Sequence, residues 1–294
     1  MQRSLVGSEM CIRDRITSGA GTKAWTATNG DTTFDAVVSP VVSGSVANKA
    51  QIAAVTDLNA DSANVTETVT YTKVGSLVPS SSDGNFPRVP TVVYPNDPSD
   101  ATKVTPAGVP TVPGYTAHDP EGHVLTPGSS YQPSDPTKDT TITYTADTQK
   151  GSVSYVDDTT GKTLKTDSIS GTTGSKSSYS TSGNIADYKK HGYELVTDGY
   201  PADLTFDNND TTDQNFTVHL KHQLTPVNPT DPQTPGAPIN PDEPDGPKWP
   251  ARTNYDKTVN ETVSYVDQTG HVVAKQHTDS VNFTRTVVVD NVTG

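Results

Sequence analysis

The sequence predicts a mainly β protein with minor α content, built as an elongated array of tandem small β-grasp-like domains joined by a Pro-rich linker. Three observations predict this fold class. Val153 to Asp157 (Val-Ser-Tyr-Val-Asp) recurs as Val263 to Asp267, and each copy runs into a turn that contains Thr-Gly. Between the copies, proline occupies every third position from Pro226 to Pro250. The strand formers Val, Thr and Tyr are abundant, which favours several thin β domains over one large core.

Residues 1–15 do not fit this pattern. They hold the only cysteine of the 294-residue chain, Cys11, and both of its methionines. The string from Arg3 to Arg15 resembles translated sequencing-adapter sequence, and it has no apolar run long enough for a secretion signal. We therefore predict that residues 1–15 are a non-native, adapter-derived segment. The alternative is a short N-terminal arm.

Residues 16–73 and 74–148 are predicted to be two β units without a helix. Apolar and polar residues alternate over Thr68 to Thr72 and again over Thr140 to Thr145. This period of two indicates strands with one buried face. Each follows a run of turn residues, so each is expected to be the closing strand of its unit.

Residues 149–223 form the best-defined unit. Val153 to Asp157 and a second strand near Lys162 to Ser168 flank a turn with glycine, which predicts a β-hairpin. Two later strands are expected at Tyr193 to Val196 and at Phe216 to Leu220, where apolar and polar residues alternate. Strand, strand, helix, strand, strand is the order of a small β-grasp sheet.

The helix of this unit is predicted from Asn184 to His191, about two turns. Asn184 is expected to be the N-cap, and Asp187 lies three positions later, near the positive end of the helix dipole. Gly192 follows as the residue that ends the helix in a left-handed conformation. Within the array, this unit is the one for which the sequence predicts a helix.

Residues 224–250 are predicted to be a spacer. Polyproline II has three residues per turn, so prolines at every third position lie along one edge of an extended helix. At about 3.1 Å per residue, the segment from Pro226 to Pro250 reaches roughly 75 Å when fully extended. A flexible low-complexity linker is the alternative, because Gly236 and Gly246 soften such a rod.

The central unit resembles a known domain. Three sequence motifs resemble the mucin-binding-protein (MucBP) domain of lactobacillus cell-surface adhesins, namely Val153 to Asp158, Gly192 to Leu195 and Phe216 to Leu220. Lys248 to Pro250 and Val281 to Thr286 resemble the start of the neighbouring mucus-binding repeat.

The beginning of the chain resembles the later half of the same repeat, over Ala24 to Phe34 and Val38 to Gly44. Residues 16–73 are therefore interpreted as the C-terminal part of one mucus-binding repeat and residues 251–294 as the N-terminal part of the next. Joined head to tail, the two segments read as halves of one repeat type.

The resemblance implies a fragment of a bacterial cell-surface adhesin, extracellular and anchored to the cell wall in the full-length protein. Its repeats are expected to bind host mucins or other glycoproteins and glycans through many weak contacts. Immunoglobulin is an alternative partner, and a passive stalk that presents a distal adhesive domain is an alternative function. The sequence itself assigns no ligand-binding residue.

Composition and motifs exclude other classes of function. The net charge of −13 and the absence of a basic patch argue against a nucleic-acid partner. No segment has the run of about 20 apolar residues that membrane insertion needs. No nucleophile elbow, phosphate loop or zinc-protease motif is present, so we predict no enzyme and no cofactor.

Asp207, Asp210 and Asp213 are the weak metal candidates, because carboxylate oxygens suit Ca²⁺. Their spacing of three differs from the alternate-residue spacing of an EF-hand loop, and a solvated turn is the competing interpretation. His219 and His222 lie three apart on a predicted strand. Side chains alternate across a strand, so these two imidazoles are expected on opposite faces and cannot share a metal.

Overall fold

The computed structural model describes residues 24–294, which divide into two compact units at residues 146 and 147. The predicted non-native segment, residues 1–15, lies outside the described residues. Strands dominate the described chain, and its one α-helix, α1, spans Ser182–Lys190. The predicted class, mainly β with minor α, is confirmed.

The strands of the first unit are short except for the last. They are β1 (Val37–Val38), β2 (Ser45–Ala47), β3 (Gln51–Ile52), β4 (Tyr71–Lys73), β5 (Ser76–Ser80), β6 (Val92–Val93), β7 (Ala107–Gly108), β8 (Tyr115–His118), β9 (Val124–Leu125), β10 (Ser130–Tyr131) and β11 (Thr140–Ala146). The main sheet has the order β6-β5-β11-β8-β9, in which β5 and β11 are parallel and the other pairs antiparallel. The first unit also contains three two-stranded ladders, β1-β3, β2-β4 and β7-β10. The closing strand expected at residues 68–72 is observed as β4 (Tyr71–Lys73), so it is shorter and begins later than predicted.

The core of the first unit forms on one face of β11. Ile142 and Tyr144 are fully buried there, as the alternation predicts. The same core includes Val46 and Val74, and the Val74 amide donates to the Gly44 carbonyl at 3.0 Å. The predicted boundary between residues 73 and 74 is thus not a gap between cores, because part of the preceding segment packs against residues 74–146.

The second unit begins with a four-stranded sheet. Its strands are β12 (Thr148–Asp157), β13 (Lys162–Thr172), β14 (Tyr193–Asp198) and β15 (Gln214–His222). Their order is β13-β12-β15-β14, with the central pair β12 and β15 parallel and the two outer pairs antiparallel. Val153, Tyr155, Val218 and Leu220 are fully buried between this sheet and α1. The predicted order of strands and helix is present.

The start of α1 differs from the prediction. The helix begins at Ser182 with Thr181 as its N-cap, two residues before the expected start. The Asn184 side-chain amide donates instead to the Tyr155 hydroxyl and to the Asp167 carboxylate, each at 3.1 Å. A tertiary hydrogen-bond network therefore uses the side chain that sequence reasoning assigned to capping. Sequence alone shows the capping propensity but not these partners.

The proline-rich segment is folded, so the extended polyproline II rod predicted for residues 224–250 is wrong. Its first residues form β16 (Leu224–Val227), which pairs with β19 (Val287–Asp290). Further on the chain reverses, and Pro238 bridges to Lys248 while the Trp249 amide donates to the Ala237 carbonyl at 2.9 Å.

The reversal has a physical cause in the residues between the prolines. Gly236, at φ 74°, supplies a backbone conformation that other residues disfavour. Val227 and Tyr255 are almost fully buried with Val289, and Trp249 packs on them. Burial of this small apolar cluster stabilises a folded segment where proline spacing alone predicts a rod.

The end of the chain is a long hairpin. A 3₁₀ turn at Arg252–Asn254 leads into β17 (Asp256–Val266), which pairs antiparallel with β18 (Val272–Thr284). The sequence repeat is a structural repeat here. Asp157 accepts the Thr159 amide at 2.9 Å and Asp267 accepts the Thr269 amide at 2.8 Å, so both copies close their turn in the same way.

Candidate functional site

An open cleft of about 390 Å³ lies in the second unit. The end of α1, the start of β14, the folded proline-rich segment and the residues after β19 all contribute to it. Its lining is polar and aromatic, and consists of Asp187, Tyr188, His191, Tyr193, Asn240, Glu243, Pro247, Asn291 and Val292. These residues are far apart in sequence, so no local motif predicts the cleft.

Backbone hydrogen bonds that begin at Gly192 connect the helix end of the cleft to the segment after β19. Gly192 ends α1 at φ 89°, and its carbonyl accepts the Gln223 amide at 2.8 Å. The Gln223 carbonyl in turn accepts the Asn291 amide at 2.9 Å. A Cβ at Gly192 would lie 2.3 Å from the Asn291 carbonyl oxygen. Only glycine permits both this backbone conformation and this close approach.

Two tyrosines supply the aromatic part of the cleft. The rings of Tyr188 and Tyr193 meet edge to face, with centroids 5.6 Å apart. Burial, and then nearby negative charge, raises the pKa of both hydroxyls. Both groups therefore stay protonated and able to donate a hydrogen bond at neutral pH. The rings of Tyr193 and His222 also meet edge to face, with centroids 5.3 Å apart.

An ion pair joins the helix end to the proline-rich segment. His191 Nε2 lies 2.7 Å from Glu243 Oε1, and Nδ1 lies 2.7 Å from the Asp187 carbonyl oxygen. The hydrogen bond to that carbonyl, together with the Glu243 charge, raises the pKa of the His191 imidazole against the effect of burial. Both ring nitrogens thus face acceptors, which favours the protonated form.

His222, which packs against the cleft residue Tyr193, is buried between two carboxylates. Nε2 lies 2.9 Å from Asp157 Oδ2 and Nδ1 lies 2.7 Å from Asp290 Oδ2, and the imidazole is 5% exposed. Burial opposes protonation, but the Asp290 and Asp157 carboxylates outweigh it and raise the pKa of His222 above the ordinary 6.5. An imidazolium that donates to both carboxylates therefore joins β12 and β15 to β19.

His219 and His222 lie on opposite faces of β15, as predicted. His219 is 42% exposed and lies 2.8 Å from Asp158, on the face opposite the buried His222. Alternation along the strand predicted that the two imidazoles lie on opposite faces. It could not reveal Asp157 and Asp290 as partners of His222, because both are distant from it in sequence.

Two of the predicted calcium ligands, Asp207 and Asp210, accept hydrogen bonds from other groups of the protein. Asp207 accepts the Asn209 amide at 3.0 Å, and Asp210 accepts the Gln149 side-chain amide at 2.6 Å. Within residues 24–294, the three acidic or histidine side chains that do come within 4.8 Å of one another are Asp119, Glu121 and His123. Sequence reasoning did not single out this set, which belongs to an exposed turn.

Two family models match the chain. That of a mucin binding domain matches residues 149–222. That of a Muc B2-like domain matches residues 7–75 and 250–294, the former beginning inside the segment predicted to be non-native. Both describe domains of adhesion proteins, which confirms the resemblance read from the sequence and agrees with the prediction that the chain is not an enzyme.

Solved structures of mucus-binding repeats are similar in sequence. The type 2 repeat of the mucus binding protein MUB from Lactobacillus reuteri is 37% identical over 49% of this chain and 70% of its own, with a TM-score of 0.32. Mub-RV is 34% identical over 49% of this chain and 66% of its own, with a TM-score of 0.37. The relationship rests on sequence, because these TM-scores are low. No curated protein matches the chain.

Within residues 24–294, no helix has the length and apolarity to cross a bilayer.

Proposed function

This chain belongs to the mucus-binding repeat family, and we propose that it is a fragment of a bacterial cell-surface adhesin whose units bind mucus glycoproteins or glycans by many weak contacts. The observation that carries the proposal is the cleft between the mucin binding domain and the folded proline-rich segment. We further propose that the full-length protein is anchored to the cell wall, as expected for a surface adhesin.

The chemistry of the cleft suits a sugar ligand. Sugars offer hydroxyl groups to hydrogen-bond and flat C–H faces to aromatic rings. Tyr188 and Tyr193 provide ring surface and protonated hydroxyls, and Asn240, Glu243 and Asn291 add amide and carboxylate groups. An open, partly aromatic site with a few polar groups fixes the orientation of a ligand without enclosing it. Such a site gives weak binding, so a repeated array is needed for strong adhesion.

The test is binding of the full chain to immobilised mucin, measured as the dissociation constant by surface plasmon resonance. Glu243→Gln keeps the shape of the side chain but removes the ion pair with His191 and a strong acceptor in the cleft. We expect it to weaken binding about tenfold. Glu194→Gln is the matched control, because Glu194 is also an exposed partner in an ion pair, with Lys221 at 2.8 Å, but lies outside the cleft.

Tyr193→Phe separates ligand binding from stability, because the ring contacts are kept and the hydroxyl is lost. Weaker binding at an unchanged melting temperature supports the cleft as the site. Equal binding by wild type and both cleft variants places the site elsewhere. An immunoglobulin surface is included as the alternative partner, and no binding to either surface leaves the passive stalk as the function.

A further inference from the structure

The main sheets of both units place their first and last strands side by side and parallel. In the first unit β5 pairs with β11, in a ladder that ends with Ser80 opposite Thr143. In the second unit β12 pairs with β15, in a longer ladder that runs from Gly151 to Asp157 of β12. The other strands of each sheet lie outside these two ladders, which are called the terminal pairs below.

This topology determines how each sheet meets a pulling force along the chain. The chain enters a terminal pair at the N-terminal end of the first strand and leaves it at the C-terminal end of the last strand. Because the two strands are parallel, these points lie at opposite ends of the ladder. Tension between them slides one strand along the other and loads the evenly spaced ladder hydrogen bonds together. In strands pulled from the same end, the bonds break one after another.

Each terminal pair begins at a glycine that lies against the backbone of the partner segment. A Cβ at Gly151 would lie 2.0 Å from the Gln214 carbonyl oxygen, and one at Gly75 would lie 2.3 Å from the Lys138 carbonyl oxygen. Gly151 is the first residue of its ladder, and Gly75 immediately precedes β5. Both pairs are therefore in close backbone contact at the end where the first strand is pulled.

The second terminal pair is also closed at its other end. The Asp158 amide donates to the Leu220 carbonyl at 2.7 Å, which extends the contact between the strands beyond the ladder. His222 Nε2 lies 2.9 Å from Asp157 Oδ2, and both side chains are at most 5% exposed. Water therefore competes weakly for this contact, which lies at the end where β15 is pulled.

The two terminal pairs follow each other directly along the chain. Asp147 alone separates the end of β11 from the start of β12. A force that leaves the first pair through β11 therefore enters the second pair through β12 after a single residue.

We propose that the two terminal pairs are force-resisting elements in series, which keep both units folded while the chain is under tension. Hydrogen bonds that are loaded together raise the barrier to unfolding, and this barrier determines how long a strained domain lasts. The proposal requires only that the chain is pulled along its length, as an adhesin or a stalk is. It does not depend on the ligand of the cleft.

The test is single-molecule force spectroscopy of the full chain, pulled through introduced cysteines in a Cys11→Ser background. Thr148→Cys with Gln223→Cys pulls the second terminal pair from opposite ends. Lys162→Cys with Gln223→Cys pulls it from one end, because Lys162 lies opposite Asp157. The three positions are exposed, so the two proteins should have the same melting temperature. We expect a rupture force at least about twofold higher for opposite ends, since forced unfolding depends on the unfolding barrier.

The first terminal pair allows the same comparison. Lys73→Cys with Thr145→Cys pulls β5 and β11 from opposite ends, and Ser80→Cys with Thr145→Cys pulls them from one end. All three positions are exposed. The opposite-end geometry should again be the stronger one.

Two serines of β12 provide a matched control. Ser152 Oγ donates to Asn215 Oδ1 on β15 at 2.8 Å, across the terminal pair, whereas Ser154 Oγ lies 3.1 Å from the Thr166 hydroxyl on β13, outside it. Each alanine variant loses one side-chain hydrogen bond. With opposite ends pulled at constant force, Ser152→Ala should raise the rupture rate about fivefold and Ser154→Ala should leave it nearly unchanged. Equal rupture forces in the two pulling geometries overturn the proposal, and so do equal effects of the two serine variants.

Discussion

His222 is a buried, charged residue that links segments distant in sequence. Its imidazole fills the junction between the mucin binding domain and β19, and it is held by carboxylates from both sides. The pKa values of Asp157 and Asp290 are lowered, because hydrogen bonds from His222 and from neighbouring hydroxyl and amide groups outweigh their burial. The junction is therefore stabilised by three charges that depend on one another.

The first prediction is a pH window of stability. The raised pKa of His222 means that its contribution is complete below the ordinary 6.5 and is lost as pH rises through the folded-state pKa. The lowered pKa values of Asp157 and Asp290 mean that theirs is complete above the ordinary 3.8 and is lost on acidification. The melting temperature of the full chain should therefore be highest between these values. Calorimetry from pH 3 to 9 measures it.

His222→Gln should destabilise the second unit by about 3 kcal/mol at pH 6, because it leaves two carboxylates without their shared partner. Above pH 6.5 its stability should change less with pH than that of the parent. Since the pKa of His191 is also raised, both proteins carry His191→Gln. His219→Gln, at an exposed site, is the control. An unaltered pH dependence in the His222 variant would disprove the assignment.

Asn184 provides the second residue-scale prediction. Its side chain belongs to a network with Tyr155, Tyr179 and Asp167, in which burial and hydrogen bonding raise the pKa of the Tyr179 hydroxyl. Serine is as good an N-cap as asparagine but is too short to reach this network. We expect Asn184→Ser and Asn184→Ala to cost the same, about 1 to 2 kcal/mol in urea unfolding. A serine variant as stable as the parent would restore the capping role that the sequence predicts.

At the scale of elements, the Gly192 turn determines whether the proline-rich segment and β19 can pack on the mucin binding domain. Gly192→Ala imposes both an unfavourable φ and a clash with the Asn291 carbonyl. Gly161→Ala imposes only the first, because Gly161 has φ 74° and open space around it. The control should lose about 1 kcal/mol. The Gly192 variant should lose at least twice as much in urea unfolding.

Hydrogen exchange identifies where the Gly192 variant is weakened. Faster exchange should be confined to the Gln223 and Asn291 amides and to β16 and β19, whose pairing depends on this junction. Equal losses in the two glycine variants would mean that the close approach to Asn291 is unimportant.

The strands and the proline-rich segment show which sequence patterns are sufficient to predict a structural element. Alternation placed β11 and β15, because each strand has one face on a core and the period of two records this, while the glycine turn after Val153 to Asp157 placed β12. The proline period misled, because it reports the local backbone preference and not the burial of Val227, Tyr255 and Val289. The cleft was missed for a related reason. Its residues come together only when the proline-rich segment folds back, a long-range event that no local pattern records.

At the scale of the whole molecule, charge limits how the proposed adhesin can bind. The chain carries a net charge of −13, and mucins are also acidic, so long-range attraction does not assist their association. Recognition must then depend on short-range hydrogen bonds and ring contacts such as those available in the cleft. Repetition must supply the strength that one unit lacks.

The last prediction follows from this combination. One, two and four covalently linked copies of the chain should bind immobilised mucin with apparent affinities that rise at least tenfold at each step, because each further contact is made at a high local concentration. Raising the salt from about 50 to 500 mM, which shortens the range of electrostatic forces to a few ångströms, should leave binding unchanged or strengthen it. Surface plasmon resonance measures both effects, with four linked Glu243→Gln copies as the control for specific adhesion. That control should show little gain from linkage, since weak contacts multiply only if each of them exists. Binding that collapses in moderate salt would instead mean that local positive charge, and not the cleft, holds the mucin.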